Sequence, residues 1–513
     1  MKSFDYIVVG GGTAGSVLAA RLSQTPGLRV LLLEAGAAHP CDAIADPAAW
    51  FTLAGTSVDW AFQTAPQPGT DDAIHPWPRG KVLGGSSAIN GMMHVRGDRS
   101  SYDAWETAGA TGWNYTSLLP FFKRSERAAG GDPEYRGSNG PMQVGPGPAN
   151  DPLWEACFEA AAQAGHRGNP DNNAGSAEGV SWHESTVVDG RRQTAADAYL
   201  TPAARSPNLS IVGHADVQRL LIKGAACLGV RYTLGGQTDT AFAEREVILT
   251  AGTIGTPHLL LLSGVGSGQH LRSVGIDTLA ELPGVGENLH DHPKSQVAYT
   301  AVRPVRARPD ARKPVVLTRA DASATPDLQM IFVDSPIHPR FAPGPEDGYS
   351  VIFSAMTPAS RGSVRLASAD PRRAPVIDPN YLADERDLEC MVTGLRRARE
   401  IGAAVALKPV RDVELFPGPQ AHTDDELRKY LRRSISTYFH PVGTCKIGSD
   451  AMSVVDPDLK VHGISNLRIA DASVMPSIVS GNTNAAVLAI AERAAALLTE
   501  PSAGYRSIDR RSW

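Results

Sequence analysis

Two short stretches near the C-terminal end carry residue types that can move a proton. His440 lies in Ser436-Thr437-Tyr438-Phe439-His440-Pro441-Val442-Gly443-Thr444-Cys445, framed by aromatics, a proline and a glycine. Asn482 lies in Ser480-Gly481-Asn482-Thr483-Asn484-Ala485, where Asn and Thr are good residues to open a helix. A neutral imidazole, with an unperturbed pKa of about 6.5, is a natural base near neutral pH. An amide beside it can hold an oxygen by a hydrogen bond. Together they suit an alcohol: the carbon of a neutral alcohol donates hydride poorly, and donates better as its oxygen gains alkoxide character. On its own, a histidine among aromatics is more often a satisfied core residue, so the pair needs a setting.

A hydride needs an acceptor, and the N-terminal stretch offers a place for one. The run Asp5-Tyr6-Ile7-Val8-Val9 reads as a strand and ends in Gly10-Gly11-Gly12-Thr13-Ala14-Gly15. Helical spacing follows through Val17, Leu18, Ala20 and Leu22, and a second strand, Arg29-Val30-Leu31-Leu32-Leu33, ends in Glu34. This order predicts a dinucleotide fold. Gly10 permits the turn, Gly12 lets backbone approach a pyrophosphate, and Gly15 lets the helix pack on the strand. The helix start offers free N–H groups and partial positive charge to phosphate. Glu34 can accept from a ribose diol and would repel a 2′-phosphate. The fingerprint does not separate FAD from NAD.

A second loop, Pro78-Arg79-Gly80-Lys81-Val82-Leu83-Gly84-Gly85-Ser86-Ser87-Ala88-Ile89-Asn90-Gly91-Met92-Met93, alternates small residues with little charge and can press backbone against a flat ligand. Further on come Gly252-Thr253-Ile254-Gly255-Thr256-Pro257 and Gly284-Val285-Gly286-Glu287-Asn288-Leu289-His290-Asp291-His292. In this order, with the opening fingerprint and the His440 and Asn482 segments, the chain resembles the glucose–methanol–choline (GMC) oxidoreductases from about Asp5 to Leu498. The resemblance implies an α/β flavoprotein: a Rossmann-type FAD-binding domain with a substrate domain built on an antiparallel sheet flanked by helices. It implies oxidation of a primary alcohol, aromatic ones included, to an aldehyde by proton abstraction and hydride transfer to flavin N5. Its plant relatives also include non-redox cyanohydrin lyases, which leaves that alternative open. Carried over by position, it implies His440 and Asn482 as the catalytic pair. FAD contacts fall at Gly10, Gly12, Thr13, Ala14, Gly15, Glu34, Ala35, Gly84, Gly85, Ser86, Asn90, Gly91, Met92, Met93, Val217, Ala251, Asp471, Ala472, Asn482 and Thr483. Some relatives link FAD covalently through a histidine in the glycine–serine loop. Here that stretch has none and His94 lies further on, so non-covalent FAD is expected. Phe439, Phe332 and Phe353 are expected to wall the substrate pocket.

The remaining sequence sets bounds. At 513 residues, division into residues 1–293 and 431–513 for the FAD domain and 294–430 for the substrate domain is expected. Alternating runs at 327–333, 349–354 and 360–366 predict strands, and 384–405 has helical spacing. Pro304, Pro309 and Pro314 mark a surface loop. A net charge of −5 gives no electrostatic case for nucleic acid or an anionic membrane. The apolar runs 258–262 and 485–498 are too short, or too charged at Glu492 and Arg493, to span a bilayer. Five scattered cysteines and an N-terminus that runs straight into a strand pattern predict a cytoplasmic protein without a signal peptide. His290-Asp291-His292 reads better as a hydrogen-bonded turn than as a metal site, since no second ligand cluster lies near it. The sequence names neither the oligomeric state nor the acceptor, O₂ or another, that reoxidises the flavin.

Overall fold

The β-branched run before the first glycines forms the strand Lys2–Val9 in the computed structural model, which describes residues 2–38, 41–321 and 325–499. The helix Thr13–Ser23 follows, and the strand Val30–Leu33 returns parallel to the first with all four residues buried. Burial on both faces is why that strand is an unbroken apolar run rather than an alternating one. Leu209–Val212 lies outside Val30–Leu33, and Gln237–Leu249 lies on the other side of Lys2–Val9, both parallel. Leu467–Ile469 pairs in parallel with the C-terminal end of Gln237–Leu249. Ala215–Lys223 and Ala226–Leu234 complete an antiparallel meander on its N-terminal end.

Ligands of such sheets sit outside the carboxyl ends of the strands. Here those ends deliver Gly10, Glu34, Ala251 and Asp471 to one side. The first helix approaches closely there: a Cβ on Gly15 would stand 1.8 Å from the Gly10 carbonyl oxygen. The helix Thr483–Thr499 packs against it, and Thr13 Oγ1 donates to Asn484 Oδ1 at 2.8 Å. The wholly buried Glu492 carboxylate is bracketed by Arg21 and Arg124 and accepts from the Tyr199 hydroxyl. Without Arg21 this buried charge would be left to Arg124 and the Tyr199 hydroxyl alone.

The second sheet is antiparallel throughout. Its order is Arg411–Phe416, Pro293–Ala301, Gly348–Ala355, Leu328–Val333, Pro314–Thr318 and Gly179–Trp182, with Ser436–Thr437 added beside Pro293–Ala301. The helix Glu385–Ala403 covers one face through a stripe of Leu388, Met391, Val392, Leu395, Ala398 and Ile401, all buried. Apart from Ala398, each such side chain contributes roughly 1.5–3 kcal/mol by leaving water. Asp384 starts this helix by accepting from the Arg386 N–H. The core under this sheet also takes Trp154 and Cys157 from the helix Pro152–Gln163. With Gly179–Trp182 in the sheet, the second unit draws on chain well before residue 294.

Period-two alternation sorts the roof strands into two faces. Met330 stands opposite Phe353 and Phe332 opposite Val351, and all four belong to the helix-side core. Gln329, Ile331, Ile352 and Lys294 therefore project from the other face, toward the first sheet.

Candidate active site

Between the two sheets lies a cavity of about 2020 Å³ that runs from Gly10 and Gly12 to His440 and Asn482. Ordinary ligand pockets measure roughly 300–1,000 Å³, so this one has room for a large cofactor and a substrate together. Every residue named above for the cofactor borders it except Gly15 and Gly84, which stand just behind. The Gly84 N–H donates to the Gly11 carbonyl at 2.7 Å and ties the two glycine loops together. At Gly85, with φ +53°, a Cβ would fall 2.6 Å from the Gly12 Cα, so the loops meet backbone to backbone. Glu34 lies beside them. Its carboxylate accepts from the Gly11 and Gly36 N–H groups at 2.7 and 2.8 Å, and burial pushes its pKa up to about 7. Asp471 accepts from the Gly252 N–H and the Thr256 hydroxyl, which ties the end of one parallel strand to the start of the helix after its neighbour.

At the far end, Phe439 adopts a left-handed backbone, φ 69°, at a cost of about 1–3 kcal/mol. Two contacts hold it there: its N–H donates to Thr437 Oγ1 at 2.7 Å and its carbonyl accepts from Arg79 Nη2 at 2.7 Å. The next N–H, that of His440, donates to Asp291 Oδ1 at 2.8 Å. Asp291 also accepts from the Tyr381 hydroxyl. The backbone on either side of the imidazole is thus fixed by charged and hydroxyl groups.

The hydrogen-bond partners assign the protons. His292 Nε2 lies 3.0 Å from the Met356 carbonyl, which only accepts, so Nε2 carries hydrogen. Burial pushes the His292 pKa down to about 3, so the ring is neutral and its Nδ1 bears a lone pair. His440 Nδ1 is 2.9 Å from that lone pair and must donate to it. The His440 proton is therefore on Nδ1, and Nε2 is free to accept. Asn482 Nδ2 donates toward Nε2 at 3.3 Å. Asn482 Oδ1 accepts from Gln329 Nε2 at 3.2 Å, and Gln329 Oε1 accepts from the Tyr438 hydroxyl at 2.8 Å. Burial, reinforced by the Arg79 guanidinium, holds the His440 pKa well below the usual histidine range. A neutral base with its lone pair on the cavity side is the result.

The structure thus brings His440 and Asn482 together across 42 residues. It adds residues that sequence reasoning missed: His292, Asp291, Gln329, Tyr438 and Arg79. The segment His290-Asp291-His292 is not the expected turn: His290 pairs with Val442 in an antiparallel bridge, the chain runs on into the strand Pro293–Ala301, and Asp291 and His292 serve His440 directly. No local motif signals this, because the partners lie 148 and 149 residues away. Among the described residues there is no cluster able to hold a metal. The aromatic wall needs correction. Phe439 borders the cavity, but Phe353 does not: its ring packs on the Glu385–Ala403 helix, where a Cβ on Gly394 would meet it at 2.9 Å. Phe332 touches the cavity rim while its ring belongs to the same helix-side core. Ile331 and Ile352 present the apolar surface instead.

Models of the N- and C-terminal parts of the GMC oxidoreductases match residues 4–294 and 358–491. The chain belongs to the GMC oxidoreductase family. Similar relatives include the mitochondrial choline dehydrogenase of Mus musculus, 40% identical over 96% of this chain and 89% of that one. The oxygen-dependent choline dehydrogenase of Staphylococcus xylosus is 40% identical over 97% and 95%. Among solved structures, pyridoxine 4-oxidase from Mesorbium loti superposes with a TM-score of 0.92 at 36% identity, covering 96% of this chain and 98% of that one. Formate oxidase from Aspergillus oryzae gives 0.89 at 28%, covering 97% and 98%. This GMC oxidoreductase is an FAD-dependent enzyme acting on CH–OH donors. Its residues fit that cofactor: bare glycine backbone and a helix start at one end, a carboxylate at the second strand, and the base at the other end of one continuous cavity.

Proposed function

We propose that this GMC oxidoreductase oxidises primary alcohols, aromatic ones included, to aldehydes, with His440 as the base. The observation that supports this reading is the placing of His440 Nε2 beside Asn482 on the cavity, with His440 Nδ1 against His292 and His292 Nε2 against the Met356 carbonyl. FAD, when bound, supplies the hydride acceptor. His440 Nε2 takes the hydroxyl proton. Asn482, oriented by Gln329 and Tyr438, donates to the same oxygen and holds it as negative charge develops. Ile331, Ile352 and Phe439 keep water from the carbon that is to lose hydride. FAD is held without a covalent bond in this reading; His94, the histidine after the glycine–serine loop, is turned away to pair with Glu126 at 3.1 Å.

Replacing His440 with Ala should slow anaerobic bleaching of the flavin by an alcohol on the order of 10²–10⁴-fold with FAD still bound. Bleaching at the wild-type rate in that variant would overturn the role. A flavin band left intact by every alcohol would favour the non-redox lyase reading. Admitting air to the bleached enzyme and assaying peroxide identifies whether O₂ is the acceptor. The relatives' names raise choline as the substrate. Lys294, which borders the same cavity, speaks against a cationic alcohol.

A further inference from the structure

The catalytic relay gives no task to Lys294, a cation that lines the cavity. Lys294 projects from the cavity face of the roof, two residues after His292 and opposite Ser436 in the sheet. Its Nζ lies 5.8 Å from the centre of the Phe439 ring, so it stands beside the residue that precedes the base. Among the described residues, Nζ has no hydrogen-bond acceptor and no ion-pair partner within reach. The surrounding charges do not remedy this. Asp291, the nearest carboxylate influence, already accepts from Tyr381 and the His440 N–H and faces the Arg79 guanidinium. Asp334, on the same roof, accepts from the Ala307 N–H. Arg340 and His75 also border the cavity and are close enough for Arg340 and Lys294 both to depress the His75 pKa. Burial pushes the Lys294 pKa down to about 8, with Asp291 opposing, so the ammonium is still mostly charged at neutral pH.

A charged, strongly hydrated ammonium is not kept in an enclosed site without an anion to meet it. We infer that Lys294 forms an anion-recognising subsite that takes a carboxylate or similar monoanionic group of the substrate while its hydroxymethyl group meets His440. The position beside the Phe439 ring suits a flat substrate that carries the anion and the alcohol on one face. The same charge excludes a quaternary ammonium alcohol by like-charge repulsion. This inference deepens the alcohol-oxidation reading and rests on it only for what the anion is attached to.

The test separates binding from turnover. Benzoate and the neutral isostere benzamide are titrated into the oxidised holoenzyme, with the flavin absorption band as reporter. Benzoate should bind at least about tenfold more tightly at pH 7. That advantage should fade as pH rises through about 8 to 9, should vanish in Lys294→Met and Lys294→Gln, and should survive in part in Lys294→Arg. Retained FAD shows that each variant is folded. Equal affinities in the wild type, or benzoate binding unaffected in both the Met and Gln variants, would overturn the subsite. In the second arm, 4-(hydroxymethyl)benzoate should exceed benzyl alcohol in kcat/KM by about tenfold or more, and choline should trail both. Lys294-dependent benzoate binding with no alcohol bleaching the flavin would leave the subsite standing and refute the oxidation reading. Bleaching by benzyl alcohol without any benzoate preference would do the reverse.

Discussion

The tautomer of His440 rests on one neighbour, and removing that neighbour has a calculable effect. Replacing His292 with Phe keeps a ring of similar shape and deletes the lone pair that receives the His440 Nδ1 hydrogen. Leaving a buried donor without an acceptor costs about 1–3 kcal/mol. That penalty falls on the base-competent tautomer alone, because a proton moved to Nε2 would leave Nδ1 bare and blunt the lone pair that faces the cavity. At about 1.36 kcal/mol per decade, the rate of alcohol-driven bleaching should fall roughly 5- to 150-fold. Stopped-flow reduction under anaerobic conditions measures this directly, and the flavin spectrum reports retained cofactor. One further readout separates positioning from mere packing: Asn at 292 can place an amide oxygen near Nδ1 and should recover part of the loss. Wild-type reduction rates in the FAD-loaded Phe variant would refute the relay.

Two other outcomes can be measured. Gly85→Ala puts a methyl 2.6 Å from the Gly12 Cα at a positive φ, so the purified variant should lose most of its FAD, read from the ratio of flavin to protein absorbance. Acid stability follows from buried histidines: burial pushes His75, His166, His183 and His258 down to about 4 and His292 to about 3. The unfolded chain binds protons near pH 6.5 that the folded chain refuses, so Tm should hold above that pH and fall progressively as pH drops through 6.5 toward 4. Glu34, raised to about 7, works the opposite way as a single group and should not reverse the trend. A Tm independent of pH between 7 and 5 would contradict this account.

Legibility in the sequence followed how local each interaction is. Gly10 to Glu34 could be read because strand, turn, helix and acid sit within one short segment and each residue type has one steric or electrostatic reason to be there. The Glu385–Ala403 helix was legible from its apolar stripe. His440 and Asn482 were legible only through the resemblance, since nothing in either segment points to the other. His292 escaped because its role is a matter of which nitrogen carries hydrogen, and that is decided by the Met356 carbonyl, 64 residues away. Phe353 was placed on the wrong wall for a simple reason. Alternation divides 349–354 into two faces but does not say which of them meets the helix, and a phenylalanine is as suited to one as to the other. The strand Gly179–Trp182 was invisible as a roof strand because its partner, Pro314–Thr318, lies well over a hundred residues later in the chain.

The parallel sheet closes with Leu467–Ile469, and the helix after it locks onto Thr13–Ser23, so the first and last parts of the fold are completed by one another. This has a consequence for how the enzyme is made. A chain emerging from the ribosome can build the glycine turn early, yet the base comes only at His440 and the helix that covers the turn only with Thr483–Thr499. Pairings of such sequence separation form slowly, and the partly built sheet meanwhile exposes an open edge. Cofactor capture is therefore a late event in biogenesis. The supply of FAD to cells making the protein should govern how much of the newly made chain reaches the native state rather than aggregating.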